Sequence, residues 1–407
     1  MTPDDFLRGL FDRAVAVADP MQSLASALPP KPEGRVVVIG AGKASARMAE
    51  AVEAEWGPCE GLVITRYGYA RPCQGIEIVE ASHPVPDTAG VAATQRMLAL
   101  LDTVGEGDFV LALISGGGSA LLCAPVEGVT LAEKQDLTAG LLASGAPIGT
   151  INGIRKEISA VKGGRLAAAA YPARMLALMI SDVPGDDPGD IASGPTVGHK
   201  GSAARALKAL EKWGVTPAPS IKAYLQKGGD PVLPDDPRLT RTENVIYAAP
   251  SQSLEAAATL ARDAGYAVEM LGDSIEGEAR DVAAAHAEIA IKAAPGTVIL
   301  SGGELTVTRR GDGVGGPNAE YALALAIALD GHANIHAIAC DTDGVDGAAE
   351  VAGAVIGPDT LGKATTLTPQ NALATNDAHS FFAFIGDQVV TGPTLTNVND
   401  FRAILVT

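Results

Sequence analysis

The stretch "RVVVIGAGKASARMAEAVE", residues 35–53, decides how the rest of the chain is read. A β-branched apolar run is followed by a glycine-rich turn, a lysine and a pattern of helical period. That is a strand feeding a helix through a tight turn, the repeating unit of α/β folds. Further apolar runs of strand character at 61–65, 109–114, 175–180, 244–248, 297–301 and 335–340 each precede a turn containing Gly or Asp, and most then enter a helical pattern. The pattern predicts two α/β domains with mainly parallel, Rossmann-like sheets. In such sheets ligands sit at the carboxyl ends of the strands. A Gly-, Pro- and Asp-rich stretch at 226–244 has no periodicity and predicts a division into an N-terminal domain, 1–235, and a C-terminal domain, 236–407.

Composition narrows the function classes. The 407 residues are 47% apolar with 47 glycines, and the net charge of −18 argues against nucleic acid or an anionic membrane surface as partner. The richest apolar stretch, "LAAAAYPARMLALMI", is broken by Pro172 and Arg174, so no membrane span is expected. The N-terminus carries Asp4 and Asp5 where a signal peptide would be basic. It reads instead as a helix capped by Thr2, with Phe6, Leu10 and Ala14 on one face, and a cytoplasmic location is expected. Cys59, Cys73, Cys123 and Cys340 have no metal-ligand or paired spacing, and are read as reduced.

The turn at 40–43 is tested against two phosphate grips. A Walker A loop would need glycine at Val37 and Ser or Thr at Ala44; a dinucleotide loop would need glycine at Ser45 and an acid where Thr65 and Arg66 stand. Neither fits fully, and at most an NADP site remains. Gly40, Gly42 and Lys43 still form an anion-attracting helix start. "LISGGGSALL", 113–122, is the stronger phosphate signal, because Gly116, Gly117 and Gly118 let several amides face one anion between the hydroxyls of Ser115 and Ser119. A third turn, "LSGGELTV", runs into a strand pattern and suits a plain turn equally well.

Charged clusters follow. Arg155, Lys156, Lys162 and Arg165 gather in an otherwise acidic chain and suit a carboxylate or a phosphoryl group; a solvated helix face paired with acids such as Glu157 is the alternative. Asp182 follows one apolar strand, and Asp341 and Asp343 another; carboxylates at strand ends suit Mg²⁺ together with substrate phosphates. "EASHPVPDTAG" and "TGPTLTNVND" are dense in polar residues, which turn chemistry alone could explain, and His83 by itself is a weak catalytic signal.

Taken in order, "GAGKAS", "HPVPD", "SGGGSALL", "SDVPGDDPGDIASGPT", "SGGE", "DTDGVDGAAEVAGA" and "TGPTLTNVNDF" resemble the class II glycerate kinases, whose C-terminal region is the MOFRL domain. The resemblance covers nearly the whole chain. It implies ATP-dependent, Mg²⁺-assisted phosphorylation of D-glycerate at its 2-hydroxyl, in a cleft between two α/β domains. Lys43 corresponds to the family's active-site lysine. The expected assignment puts Lys43 on a phosphoryl oxygen and residues 115–119 around an anion. Arg155, Lys156 and Lys162 would hold the glycerate carboxylate or the phosphates, and Asp182 with Asp343 the metal or the hydroxyl. A homodimer is compatible with this reading. One departure is that "GGPNAE" places Pro317 where many members have arginine, leaving Arg309, Arg310 or the 155–165 cluster to replace it. Rival readings are an NADPH-dependent hydroxypyruvate reductase and a nucleotide-binding protein without turnover.

Overall fold

The computed structural model describes residues 1–364 and 367–407. All seven expected strands are present. In chain order the first six strands are β1 (Val36–Ala41), β2 (Glu60–Arg66), β3 (Ile76–Ala81), β4 (Phe109–Ile114), β5 (Arg174–Ile180) and β6 (Thr242–Ala248), arranged 3-2-1-4-5-6 in one sheet. The pairings of β3, β2, β1, β4 and β5 are all parallel. β1 and β4 are buried at every position. This is the near-continuous apolar signature of a central parallel strand. Helix Ser45–Trp56 packs on β1 and β2, and helix Thr88–Leu101 on β2 and β3. A helical layer beyond β4 has its own core of Leu137, Leu141, Ile151, Ile154, Leu210 and Ile221.

The remaining strands are β7 (Ala267–Gly272), β8 (Gly277–Glu278), β9 (Thr297–Gly303), β10 (Leu305–Thr306), β11 (Ile335–Asp341), β12 (Gly353–Ile356), β13 (Gln388–Val389) and β14 (Asp400–Val406). Six of them form a sheet ordered 13-12-11-14-9-7, with β8 and β10 in a small ribbon. Here the structure departs from the parallel expectation. Within this six-stranded sheet only β7 and β9 pair in parallel among the described residues, and β14 runs antiparallel between β11 and β9. The chain returns to the sheet through the polar 391–399 segment instead of a crossover helix, and an antiparallel strand needs no such helix.

Alternation explains why this second sheet is covered on both faces. Val298, Leu300, Ile338, Cys340, Phe401, Ala403 and Leu405 belong to one cluster, while Ile299, Ala337, Ala339, Ile404 and Val406 belong to the other. Successive strand residues point to opposite faces, so each strand feeds both cores. The first cluster is completed by Phe6, Leu7, Leu10, Phe11 and Ala14 of helix Pro3–Ala18, together with Leu254, Ala257 and Ala258 of helix Pro250–Asp263. Thr2 and Asp5 form the capping box of the first helix. The second cluster is completed by helices Ala279–Lys292 and Pro317–Leu329.

The chain accordingly resolves into two compact units. One comprises residues 23–181 and 186–247; the other comprises residues 1–22, 182–185 and 248–407. The first sheet thus draws β6 from beyond the expected boundary, and the first helix belongs with the C-terminal strands.

A buried polar network ties the second sheet to helix Pro317–Leu329. Asp400, in β14, accepts from Arg402 at 2.8 Å and from the Asn318 amide side chain at 2.7 Å. The Arg402 guanidinium also donates to the carbonyls of Gly302 and Gly303, each at 3.0 Å, and lies over the Tyr321 ring. Burial pushes the Asp400 carboxyl up, against the pull of Arg402. Removing one partner of such a pair leaves an uncompensated buried charge and costs about 3–5 kcal/mol. Arg402→Met is therefore expected to lower the urea unfolding midpoint of the unit formed mainly by residues 248–407, measured by far-ultraviolet circular dichroism. An unchanged midpoint would mean that the network contributes nothing.

Candidate functional site

Two turns at the carboxyl ends of neighbouring strands form the centre of the site. The turn after β1 is closed from within. The Gly42 amide donates to Ile64 O, the Lys43 amide to Gly116 O at 2.8 Å, the Ala44 amide to Ser115 Oγ at 3.1 Å and the Ser45 amide to Gly42 O. Ser45, buried, donates its hydroxyl to Leu113 O, and Thr65 donates to Gly42 O. The backbone of this turn therefore binds the neighbouring turn, and its amides are not turned toward an anion. Gly40 and Gly42 act through space. A Cβ on Gly40 would lie 2.4 Å from Leu113 O, and one on Gly42, where φ is +149°, would lie 2.0 Å from Ser115 Oγ. What this turn can offer a phosphate is the Lys43 side chain.

The turn after β4 is different. Ser115 N–H donates to Ala41 O and the Gly118 amide to Ser115 O, while among the described residues the Gly116 and Gly117 amides have no protein acceptor. Gly117 is left-handed, at φ +79°, and begins the short helix Gly118–Leu121. Two adjacent undonated amides at such a turn form a concavity suited to an anion. Ser119 Oγ lies 2.6 Å from Ser193 Oγ, in a segment where Ala192, Ser193 and Gly194 are all left-handed. Non-glycine residues are held in that region only where the surroundings impose it. Here the Gly163, Gly164 and Leu166 amides donate to Ser193, Gly194 and Pro195 carbonyls, strapping the segment down.

The basic cluster divides. Arg155 donates to Ser119 O at 3.4 Å and to Asn152 Oδ1, so it borders the anion turn, and its buried Nε has no partner among the described residues. Burial pulls its guanidinium below the usual arginine value. Lys162 is fully buried and donates to Leu122 O at 3.1 Å; burial first, then repulsion from Lys134 and Arg155, pushes its ammonium well below the ordinary lysine range. Lys156 donates to Gly189 O at 2.8 Å and approaches Asp190, while Arg165 holds the Lys156 and Lys162 carbonyls. Lys156 thus braces the 187–195 loop, Lys162 and Arg165 hold backbone carbonyls elsewhere, and Arg155 alone of the cluster bonds the 115–119 turn.

The acidic residues sit in the other unit. Asp182 accepts from Asn397 Nδ2 at 3.2 Å, and its carbonyl accepts from Asn399 Nδ2 at 3.2 Å. Asp343 is buried, with Oδ1 accepting from the Val345 amide and its own amide donating to Asp341 Oδ1. The same segment reaches both acids, since Thr394 N–H donates to Asp343 O and Thr342 Oγ1 donates to Asn399 O. Asp346 caps helix Pro317–Leu329 through the Asn318 and Ala319 amides. Among the described residues no three His, Cys, Asp or Glu side chains gather as a metal cage. Pro317 begins its helix, where a missing N–H costs nothing, and shares with Arg309, Gly315, Gly316 and Gly347 the wall of a cavity of about 330 Å³. Glu320, deeper in that helix, is held by Arg280 at 2.6 Å.

Sequence reasoning undervalued three residues. His83 lies against Gly117, and Asn397 and Asn399 orient Asp182. The signal for all three was polar density in otherwise irregular stretches.

Residues 6–226 match a family model described only as a domain of unknown function, DUF4147, and residues 297–400 match the MOFRL family. A protein of Agrobacterium vitis with the provisional name hydroxypyruvate reductase is 48% identical, covering 98% of this chain and 94% of its own. The D-glycerate 2-kinase of Thermotoga maritima is 38% identical over 95% of this chain and 94% of its own. A crystal structure of glycerate kinase from the same organism superimposes with a TM-score of 0.89 at 36% identity, covering 99% of each chain. Among the described residues no helix is long and apolar enough to cross a membrane.

The packing of the two turns gives a test. Gly42→Ala should cost at least about 1–3 kcal/mol, the usual penalty for overpacking, because its Cβ would overlap Ser115. Gly107→Ala, in open space in the same unit, should be neutral. Differential scanning calorimetry of the pair checks this, and equal midpoints would refute it.

Proposed function

This chain belongs to the class II glycerate kinase family, and on that footing we propose that it transfers the γ-phosphoryl group of ATP to the 2-hydroxyl of D-glycerate. The observation that carries the reading is the 115–119 turn, where the Gly116 and Gly117 amides have no acceptor and Lys43 lies beside them. Phosphoryl transfer asks the protein for positioning and charge neutralisation, not for a covalent nucleophile. Lys43 and the two amides would hold phosphoryl oxygens, and the Arg155 guanidinium borders the same turn, where it suits the acceptor's carboxylate.

Asp182 and Asp343 fit Mg²⁺ by the chemistry of their donors, since hard carboxylate oxygens in ones and twos, completed by phosphate oxygens, are how that ion is usually held. Magnesium bound there would supply positive charge to the phosphate oxygens that complete its shell. Asn397 and Asn399 fix the direction of Asp182, and the Val345 amide fixes that of Asp343.

The reductase name borne by an Agrobacterium vitis relative is the reason to weigh a second reading. Against it stands the first turn. A dinucleotide pyrophosphate needs open amides after the first strand, and those of Gly42, Lys43, Ala44 and Ser45 are engaged within the protein.

Purified protein is expected to make 2-phosphoglycerate from D-glycerate only with ATP and Mg²⁺ both present, and EDTA should abolish turnover. NADPH oxidation by hydroxypyruvate should stay at background. Metal-independent NADPH oxidation with no phosphorylated product would reverse the assignment. Lys43→Met should lower kcat by at least about 10²-fold, the effect of losing one preorganised electrostatic donor, with the thermal midpoint unchanged. Near-normal turnover in that variant would remove Lys43 from the reaction.

A further inference from the structure

Phosphorylation of a hydroxyl requires that its proton go somewhere. Among the side chains described at the 115–119 turn, His83 carries an imidazole, the side chain most often used to take up a proton in such a step. The structure brings His83 to that turn. A Cβ placed on Gly117 would lie 3.1 Å from His83 Cδ2, 3.3 Å from His83 Nε2 and 3.1 Å from Lys43 Cγ. The Nε2 edge of the ring and the stem of Lys43 therefore cover the same glycine, whose amide is one of the two left without an acceptor.

The placement is built. His83 lies on the strap between the end of β3 and helix Thr88–Leu101. Asp87 anchors the strap by accepting from the Tyr67 hydroxyl at 2.8 Å and, as the helix cap, from the Gly90 amide at 2.9 Å. Gln135 donates to Pro86 O at 2.6 Å. Pro84 and Pro86 restrict the backbone on either side of Val85. The "HPVPD" segment thus holds an imidazole against a glycine, and a substituent at residue 117 would displace it.

We propose that His83 is the proton acceptor of the transfer. The proposal rests on the kinase reading above. As the glycerate 2-hydroxyl oxygen attacks the γ-phosphorus, its O–H bond breaks and the oxygen keeps the electron pair. That oxygen forms the new O–P bond, and the proton passes to the lone pair of the ring nitrogen. The bond from the γ-phosphorus to the bridging oxygen breaks with its pair leaving on ADP. The imidazolium returns the proton to solvent after the products leave.

The experiment uses the full chain with ATP, Mg²⁺ and D-glycerate. His83→Gln keeps bulk and hydrogen bonding but cannot accept the proton; it should lower kcat by about 10²–10⁴-fold, the range for losing a general base, with KM for ATP little changed. His83→Ala should show the same loss, and added imidazoles should restore turnover at rates that rise with the basicity of the added base. A His83→Gln variant within about fivefold of wild-type kcat would overturn the proposal, since general-base loss is at least tenfold larger than that. So would absent rescue, or rescue by weak and strong bases alike, which marks a space-filling role. The two readings separate cleanly. A wild type that does not phosphorylate D-glycerate defeats both, whereas an active wild type with an active glutamine variant defeats only the role of His83.

Discussion

Strands β1 and β4 run side by side, and where they end their turns meet with no room to spare. Gly42 lies so close to Ser115 that any side chain there would overlap it, and the Lys43 amide bonds Gly116 O directly. The first turn is closed against the second, whereas among the described residues the Gly116 and Gly117 amides of the second have no protein acceptor, and the Lys43 stem lies beside Gly117. The serine pair completes the lock: Ser45 and Ser115 are 3.2 Å apart, both buried, with Ser115 accepting from the Ala44 amide. A dinucleotide loop of similar appearance would use the first turn for its ligand. Here the position that a third glycine would occupy carries Ser45, and its hydroxyl serves to bind the neighbouring strand.

In the other unit the comparable constraint is polar. Asp346 caps the helix that begins at Pro317, Asn318 reaches from that helix to Asp400, and Asp400 holds Arg402. The helix and the sheet are thereby registered by hydrogen bonds as well as by apolar packing. Asp182 and Asp343, the acids proposed for Mg²⁺, are held in turn by the 394–399 segment, which leads into β14. Their orientation and the antiparallel strand are thus consequences of one stretch of chain.

Much of this was legible in the sequence. Seven apolar runs announced seven strands, most clearly β1 and β4, because a strand buried on both faces leaves an uninterrupted apolar record. The short edge strand β13 and the exposed β7 leave no such record, and their residues are indistinct from loop. β14 hid behind a charged pair, Asp400 and Arg402, that is buried because the two meet each other and because Asn318, Gly302 and Gly303 satisfy their remaining groups. At the site, glycine turns and strand-end acids stood out, since spacing along the chain reveals them. The division of the basic cluster did not. Whether Lys162 faces solvent or a buried carbonyl is decided by Leu122, forty residues away, and no periodicity encodes that. His83 was underrated for the same reason, because its partner is a glycine in another turn.

The helix Pro3–Ala18 is made long before what it packs against. Ser253 donates to Ala14 O across 239 residues of sequence, and the helix's partners on β9, β11 and β14 come later still. At synthesis rates of about 5–20 residues per second, Phe6, Leu7, Leu10 and Phe11 wait on the order of ten seconds or more with their apolar stripe uncovered. In that interval the whole first sheet, β6 included, is synthesised and can close around its own core. The early helix is therefore a segment of the nascent chain that needs shielding, and the unit that holds Asp182 and Asp343 is completed after the other.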